Sequence, residues 1–217
     1  MKIWLIGLVA ALLSWLPAIQ SAQPLVGQEM LLRLKKQYSD QAERRGIALN
    51  QLLDRLGKQD VQTQLEEVNR FFNQFQYRED QSQWGVKDYW ATPEEFLGTQ
   101  QGDCEDFVIA KYFSLRKLGV PDERLYLTYV KALKQNVAHM VLSYFETPGS
   151  IPLILDNYNP AILKGDKRID LLPVYSFNAQ SLFLTNASAG LGKSLPTDKI
   201  KNSKWQKLLA DIRKEKP

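Results

Sequence analysis

The period of the apolar residues changes near Pro121. Before it, apolar residues recur every three or four positions, as at Val61, Leu65, Val68 and Phe72, which is the spacing of an amphipathic helix. After it, RLYLTYVKAL and VAHMVLSYF follow a period of two and are rich in β-branched and aromatic residues, as strands are. Helices followed by strands indicate an α+β fold.

Residues 28–76 are predicted to form a helical lobe. MLLRLKKQYSDQAERRG is expected to end at Gly46, IALNQLLDRLG forms a second helix, and a third follows Asp60, a favourable N-cap. TPEEF then combines a capping threonine with a proline at the first helical position and a capping-box glutamate. The next predicted helix, DCEDFVIAKYFSLRKLG, ends at Gly119 and places Cys104 in its first turn.

The strands are predicted to form one antiparallel sheet. PVYSFNAQSLFL is interpreted as a hairpin that closes it, and ETPGS is a turn between VAHMVLSYF and PLILDNY. For a turn centred near residues 147–149, His139 lies opposite Asp156 or two residues from it, with both side chains on one face.

The first residues have the order of a secretory signal peptide, with Lys2 followed by an almost purely apolar run and then small and polar residues. A retained inner-membrane anchor is the alternative, although about 18 apolar residues are wanted to span a bilayer. We therefore predict a periplasmic protein with a signal peptide at 1–22, one globular domain at 23–184 and a basic C-terminal tail containing a helix at 185–217.

The charge and motifs exclude some classes of function. The net charge of +4 is mild, and the chain has no Gly-rich phosphate loop, internal repeat or aromatic-basic pattern, so no nucleic-acid partner is expected. In the tail, WQKLLADI has apolar residues at helical spacing among basic ones. A helix docked on the domain is the main interpretation, with a membrane-surface or partner-binding helix as the alternative.

The chain has one cysteine, Cys104, and it lies between Asp103, Glu105 and Asp106. The start of a buried helix lowers a thiol pKa, but neighbouring carboxylates oppose a thiolate. The acids could be ordinary helix-start residues that the helix dipole favours. Clustered carboxylates also suit Ca²⁺, which would cancel their field. Asp103 and Glu105 are the first expected ligands, and Asp106 is the next.

The only histidine, His139, is predicted on a strand beside the strand of Asp156. A lone imidazole on a strand is more often a packed or surface residue than a catalyst. Here a cysteine at a helix start, a histidine within a strand and an aspartate on its neighbour occur together. That order is the layout of papain-like and transglutaminase-like enzymes.

The resemblance is more specific than this layout. The segments NRFFNQFQY, WGVKDYWATPEEFL, GDCEDFVIAKYFSLRKLGVP, LTYVKA, AHMVLSYF, LILDN and PVYSFN resemble the bacterial transglutaminase-like cysteine proteinase family, the LapG-type periplasmic adhesin proteases. The resemblance runs from about Val68 to Leu184. It implies a papain-like/transglutaminase-like α+β fold, in which an N-terminal helical lobe and a catalytic helix pack on an antiparallel sheet.

The resemblance also implies an activity. Family members are calcium-dependent endopeptidases that cut large RTX-type surface adhesins near a di-alanine in their N-terminal region, which releases the adhesin and disperses biofilm. The periplasmic domain of an inner-membrane cyclic di-GMP receptor holds them inactive. The implied roles are Cys104 as nucleophile, His139 as base and then acid, and Asp156 as the residue that orients the imidazole, with calcium on the acids flanking the cysteine and no other cofactor.

Other functions remain open from the residues. The same three side chains could transfer an acyl group to an amine or hydrolyse peptidoglycan cross-links, and a non-catalytic module could use the cleft only to bind a partner. The Cys104 backbone N–H is the expected oxyanion donor, with a second from QWGVKDYW. For Trp84 and Trp90 in that segment, a packed aromatic loop is the main interpretation, and both are also candidates for a substrate or receptor surface.

Overall fold

The structure is a computed structural model that describes residues 25–179, 181–186, 190–195 and 203–214. The predicted signal peptide lies outside these ranges. Within them, no helix combines the length and apolar character needed to cross a membrane. The predicted α+β class is confirmed, since helices pack on an antiparallel sheet.

The helices come mainly before the sheet. A π-helical turn at Leu34–Tyr38 extends the first, and short 3₁₀ turns lie at Asp122–Arg124 and Gly165–Lys167. The α-helices are α1 (Gln28–Arg33), α2 (Asp40–Leu56), α3 (Val61–Phe72), α4 (Asp80–Gln83), α5 (Pro93–Thr99), α6 (Cys104–Lys117) and α7 (Ser203–Lys214).

The first helices divide at Ser39, so the prediction of a helix end at Gly46 is wrong. Ser39 has an extended backbone, and its hydroxyl accepts a hydrogen bond from the Ala42 N–H at 3.1 Å, which makes it the N-cap of α2. Gly46 lies inside α2, where an added Cβ would come within 2.8 Å of Leu31 and 2.9 Å of Leu34. The glycine therefore permits close helix packing and does not end a helix.

Among the described residues, one large sheet has the order β6-β5-β4-β3-β7-β8-β9, and every neighbouring pair is antiparallel. The predicted hairpin is present as β7 and β8. The short strands β6 and β9 were not predicted. The strands are β3 (Leu125–Ala132), β4 (Val137–Tyr144), β5 (Leu153–Leu155), β6 (Leu163–Lys164), β7 (Leu171–Phe177), β8 (Leu182–Asn186) and β9 (Gly190–Ser194), while β1 (Gln76–Tyr77) and β2 (Gln101–Gly102) form a separate parallel pair.

The core lies between α6 and the sheet. Phe107 and Ile109 of α6 belong to one buried apolar cluster with Leu127 and Leu142 of the central strands. The C-terminal helix α7 joins this cluster through Trp205, which is fully buried and stacks on Phe113 with ring centroids 6.1 Å apart. The basic C-terminal segment thus docks a helix on the back of α6.

Candidate active site

The start of α6 is fixed by a buried carboxylate. Asp106 is fully buried, and its Oδ1 accepts the Ala91 N–H at 2.8 Å while its Oδ2 accepts the Asp103 N–H at 3.3 Å. Gly102 makes room for it, because a Cβ at that position would lie 2.3 Å from Asp106 Oδ2. These contacts make Asp103 the N-cap and Cys104 the first residue of the helix, so Cys104 lies in the first turn, as predicted.

The thiol of Cys104 is half-buried and lies between α6 and β4. It donates to Glu105 Oε2 at 3.1 Å, and the Met140 backbone is close enough to the sulfur to favour its charged form. Burial, then the charges of Glu105 and Asp103, raise the pKa of Cys104 well above its usual value, and the Met140 contact offsets this only in part. As the sequence predicts, the neighbouring acids therefore disfavour the thiolate form of Cys104.

His139, the residue before Met140, is buried on β4 and paired in register with Val130 of β3. Its Nε2 lies 2.8 Å from Asp156 Oδ1. Its Nδ1 is buried and has no hydrogen-bond partner among the described residues. The imidazole is thus anchored at one nitrogen and leaves the other available.

The strand register places these two residues together. Leu155 at the end of β5 pairs with Leu142 of β4, so Asp156 follows at the level of Val141. This position is two residues from His139, which is one of the two arrangements that the sequence predicts.

Asp156 is buried and held from several directions. Arg168 Nη2 donates to its Oδ2 at 2.7 Å, and the Tyr158 N–H donates to its Oδ1 at 2.9 Å. Although burial opposes its charge, hydrogen bonds from His139 and Arg168 lower the pKa of Asp156 to about 2. The carboxylate is therefore ionised near neutral pH and can stabilise a protonated imidazole.

Two neighbours of this pair were missed in the sequence. The ring of Tyr158 stacks on His139 with centroids 4.0 Å apart and planes 8° apart, and it covers one face of the imidazole. Arg168 is 2% exposed and bridges Asp156 to Asp170. Tyr158 directly follows the LILDN motif, which could have suggested a role, but nothing in the local sequence marks Arg168.

The acids near Cys104 form a cluster with two residues from an upstream segment. Carboxylate oxygens of Asp80, Asp103 and Asp106 lie within 4.8 Å of one another, as do those of Asp80, Asp88 and Glu105. Burial and the neighbouring Glu105 raise the pKa of Asp103 to about 11. In the described ranges, the buried Oδ1 atoms of Asp80 and Asp103 have no hydrogen-bond partner. An oxygen-only set with buried, unpartnered acceptors fits a hard divalent cation.

The predicted ligands contribute unequally to this cluster. Asp103 and Glu105 supply oxygens, whereas both oxygens of Asp106 already accept main-chain N–H groups. The sequence missed Asp80 and Asp88, which lie in the polar REDQSQWGVKDYW segment. Asp88 also forms an ion pair with Lys204 of α7.

The two tryptophans of this segment differ in environment. Trp90 is 6% exposed and stacks on Phe177 at 6.1 Å, so the prediction that it forms a surface is wrong; an indole that packs in the core cannot anchor a partner. Trp84 is half-buried and lies against Tyr89 at 4.9 Å. A surface role for Trp84 stays a prediction.

Comparisons with known proteins agree with this geometry. Residues 38–168 match the family described as bacterial transglutaminase-like cysteine proteinase BTLCP. No curated protein matches the chain. Calcium-bound Legionella pneumophila LapG is 43% identical with a TM-score of 0.72, covering 85% of this chain and 98% of LapG. EGTA-treated LapG from the same organism is 44% identical with a TM-score of 0.73, covering 87% and 99%.

Proposed function

Because the chain belongs to the bacterial transglutaminase-like cysteine proteinase family, we propose that it is a calcium-dependent cysteine endopeptidase that uses Cys104, His139 and Asp156. One observation carries the proposal: a buried imidazole is bonded at Nε2 to an ionised carboxylate and keeps Nδ1 unpartnered among the described residues, on a strand whose next residue, Met140, acts on the thiol of Cys104.

The residues supply a complete route for peptide hydrolysis. His139 Nδ1 takes the thiol proton, and the sulfur attacks the peptide carbonyl carbon. The main-chain N–H of Cys104 belongs to the first turn of α6, has no intrahelical acceptor and donates to the developing oxyanion. His139 then protonates the leaving amine, and water, deprotonated by the same imidazole, hydrolyses the thioester.

Asp156 has a positioning role in this route. It keeps its negative charge throughout, so the proton on His139 Nε2 stays in place and Nδ1 faces the reaction. Stacking by Tyr158 restricts rotation of the ring.

Asp80, Asp103, Glu105 and Asp88 would hold a calcium ion, which supplies positive charge close to the thiol. Legionella pneumophila LapG is known in a calcium-bound and in an EGTA-treated form, which supports this choice of metal. A bound calcium ion would neutralise these carboxylates, so Asp103 and Glu105 would no longer raise the pKa of Cys104 and the dipole of α6 would favour the thiolate.

We further propose that the substrate is the N-terminal region of a large RTX-type surface adhesin, cut near a di-alanine in the periplasm to release the adhesin and disperse biofilm. The control partner is the periplasmic domain of an inner-membrane cyclic di-GMP receptor. The support is the likeness to LapG over nearly all of that chain and the apolar N-terminal segment. An endopeptidase of this kind needs no nucleic acid.

The test uses the chain without residues 1–22, incubated in calcium with an adhesin N-terminal fragment, with cell-wall fragments, and with a peptide plus an amine donor. We expect one cut in the adhesin fragment, lost in Cys104→Ala and in excess EGTA. Release of cross-linked muropeptides or transfer to the amine, with the adhesin left intact, would replace the proposal. No turnover of any of them by folded protein would favour a binding module.

A further inference from the structure

A lysine is buried in the helix that carries Cys104. Lys111 is fully buried on α6, and its Nζ donates to Asn73 Oδ1 at 2.7 Å. No ion pair between Lys111 and a carboxylate is found among the described residues, and its Nζ lies 5.7 Å from the ring centroid of Phe107. Burying an ammonium group is costly, so a side chain that served only to fill space would be apolar.

Asn73 links Lys111 to the candidate active site. It is the C-cap residue of α3, and its Nδ2 donates to the main-chain oxygen of Asp156 at 2.8 Å. Two hydrogen bonds therefore connect Lys111 with the residue that orients His139. A second asparagine, Asn69, donates to Pro160 O at 3.0 Å and holds the same loop to α3, but it does not contact α6 through that bond.

Lys111 and Cys104 belong to the same helix, α6, so the contacts of Lys111 also concern the helix that carries the thiol. Lys111 follows Cys104 by about two helical turns, so both lie on nearly the same face of one rigid element. The helix that carries the Cys104 thiol is therefore also connected to the backbone of Asp156, through Asn73. A shift of α6 relative to the sheet would move both ends of the catalytic arrangement together.

We propose that Lys111 and Asn73 are positioning residues for peptide hydrolysis: they keep the Asp156 backbone, and through it His139, in place relative to Cys104. The inference rests on the proposed function of Cys104, His139 and Asp156. The acidic neighbour acting on Lys111 is Asp156 itself, and its attraction offsets part of the burial that lowers the pKa of Lys111 to about 7.

The experiment compares Lys111→Met, Asn73→Leu, the double variant and Lys111→Arg, with Lys117→Met as the control on the same helix, where the side chain is half-buried. Calcium-loaded proteins are assayed for kcat and KM on the adhesin fragment, for thermal midpoint, and for the rate at which iodoacetamide alkylates Cys104. Alkylation needs no substrate, so it reports on the thiol even if the adhesin is the wrong substrate.

We expect kcat to fall about tenfold to a hundredfold in Lys111→Met and in Asn73→Leu, because small displacements of a catalytic group cost this much. KM should stay within about twofold, since neither residue contacts substrate. The double variant should lose no more than the worse single variant, and alkylation should slow in parallel. Lys111→Arg should recover part of kcat, while Lys117→Met behaves as wild type.

A folded Lys111→Met variant with wild-type kcat and a wild-type alkylation rate would overturn the proposal. So would a double variant whose loss of kcat equals the product of the two single losses, because the two residues would then act independently. If Lys111→Met is insoluble, Asn73→Leu decides alone, because it breaks the contact to Asp156 and leaves α6 unchanged. Failure of the proposed function looks different: wild type itself would not cut the fragment, or Cys104→Ala would cut it equally well.

Discussion

Asp156 is buried beside the His139 imidazole and Asp103 is half-buried beside the Cys104 thiol, yet their surroundings act in opposite directions. Asp156 receives hydrogen bonds from Arg168 and the Tyr158 N–H and pairs with His139, and its pKa is lowered. Asp103 lies among other acids with one oxygen unpartnered within the described chain, and its pKa is raised. The protein completes the environment of Asp156 by itself, whereas the acidic cluster needs positive charge from outside.

The largest expected effect is a loss of turnover that leaves calcium binding intact. Cys104→Ala and His139→Ala should lower turnover by roughly a thousandfold or more, because a missing member of such a group stops the reaction. Both variants should still bind calcium, which isothermal titration calorimetry can measure, since neither replaced side chain belongs to the four proposed ligands. Cleavage at wild-type rate by folded Cys104→Ala would end the assignment of the nucleophile.

The next effect tests whether Asp156 depends on its protein partners. Arg168→Met leaves a buried carboxylate without its cation, so the free energy of unfolding should fall by about 3–5 kcal/mol. Urea denaturation measures the change. Lys167→Met is the matched control, because the neighbouring Lys167 is mostly exposed and its pairing is weak. A loss in Arg168→Met no larger than in this control would contradict the comparison.

The acidic cluster should depend on calcium instead. Asp80→Asn and Glu105→Gln each remove one negative charge from the proposed site, so calcium affinity should fall about tenfold to a hundredfold. Adding calcium should raise the thermal midpoint of wild type more than that of either variant. Glu79→Gln, on an exposed neighbour, is the control. Wild-type calcium affinity in Asp80→Asn would remove that residue from the site.

The smallest effect is a pH dependence. The pKa of Asp156 lies below its ordinary value of 3.8, so the ionised form stabilises the fold above that pH, and this contribution is lost as the pH falls toward about 2. The contribution is of order 2 kcal/mol, since one pKa unit corresponds to about 1.4 kcal/mol. Asp156→Asn should lack this part of the stability loss between pH 4 and pH 2, as followed by urea denaturation. If the free energy of unfolding fell equally in wild type and Asp156→Asn between pH 4 and pH 2, the ionised Asp156 would contribute nothing to stability in that range.

The sequence predicted the elements that depend on local patterns. The period change near Pro121 indicated the α+β class, the capping residues marked α5, and the turn after β4 brought His139 to Asp156 in one of the two predicted registers. Each of these rests on residues close together in the chain. Local chemistry was therefore enough to predict most of the elements that hold the candidate site.

Features that depend on distant contacts were missed. Arg168 reaches Asp156 only because the chain folds back after β6, and Asp80 joins Asp103 only once α4 is placed against α6. Gly46 was predicted to end a helix because its packing against Leu31 and Leu34 cannot be read from the sequence. The burial of Trp90 has the same cause, since Phe177 is far from it in sequence.

The docking of Trp205 against α6 has a kinetic consequence. Its indole meets Tyr112 at 5.6 Å and Phe113 at 6.1 Å between ring centroids, across a large part of the chain. Contacts between residues so far apart in sequence form slowly, because a long loop must close before they gain energy. The packing around the helix that carries the thiol is therefore complete only after α7 has docked. Until then the chain has the residues for catalysis without the support that fixes their geometry.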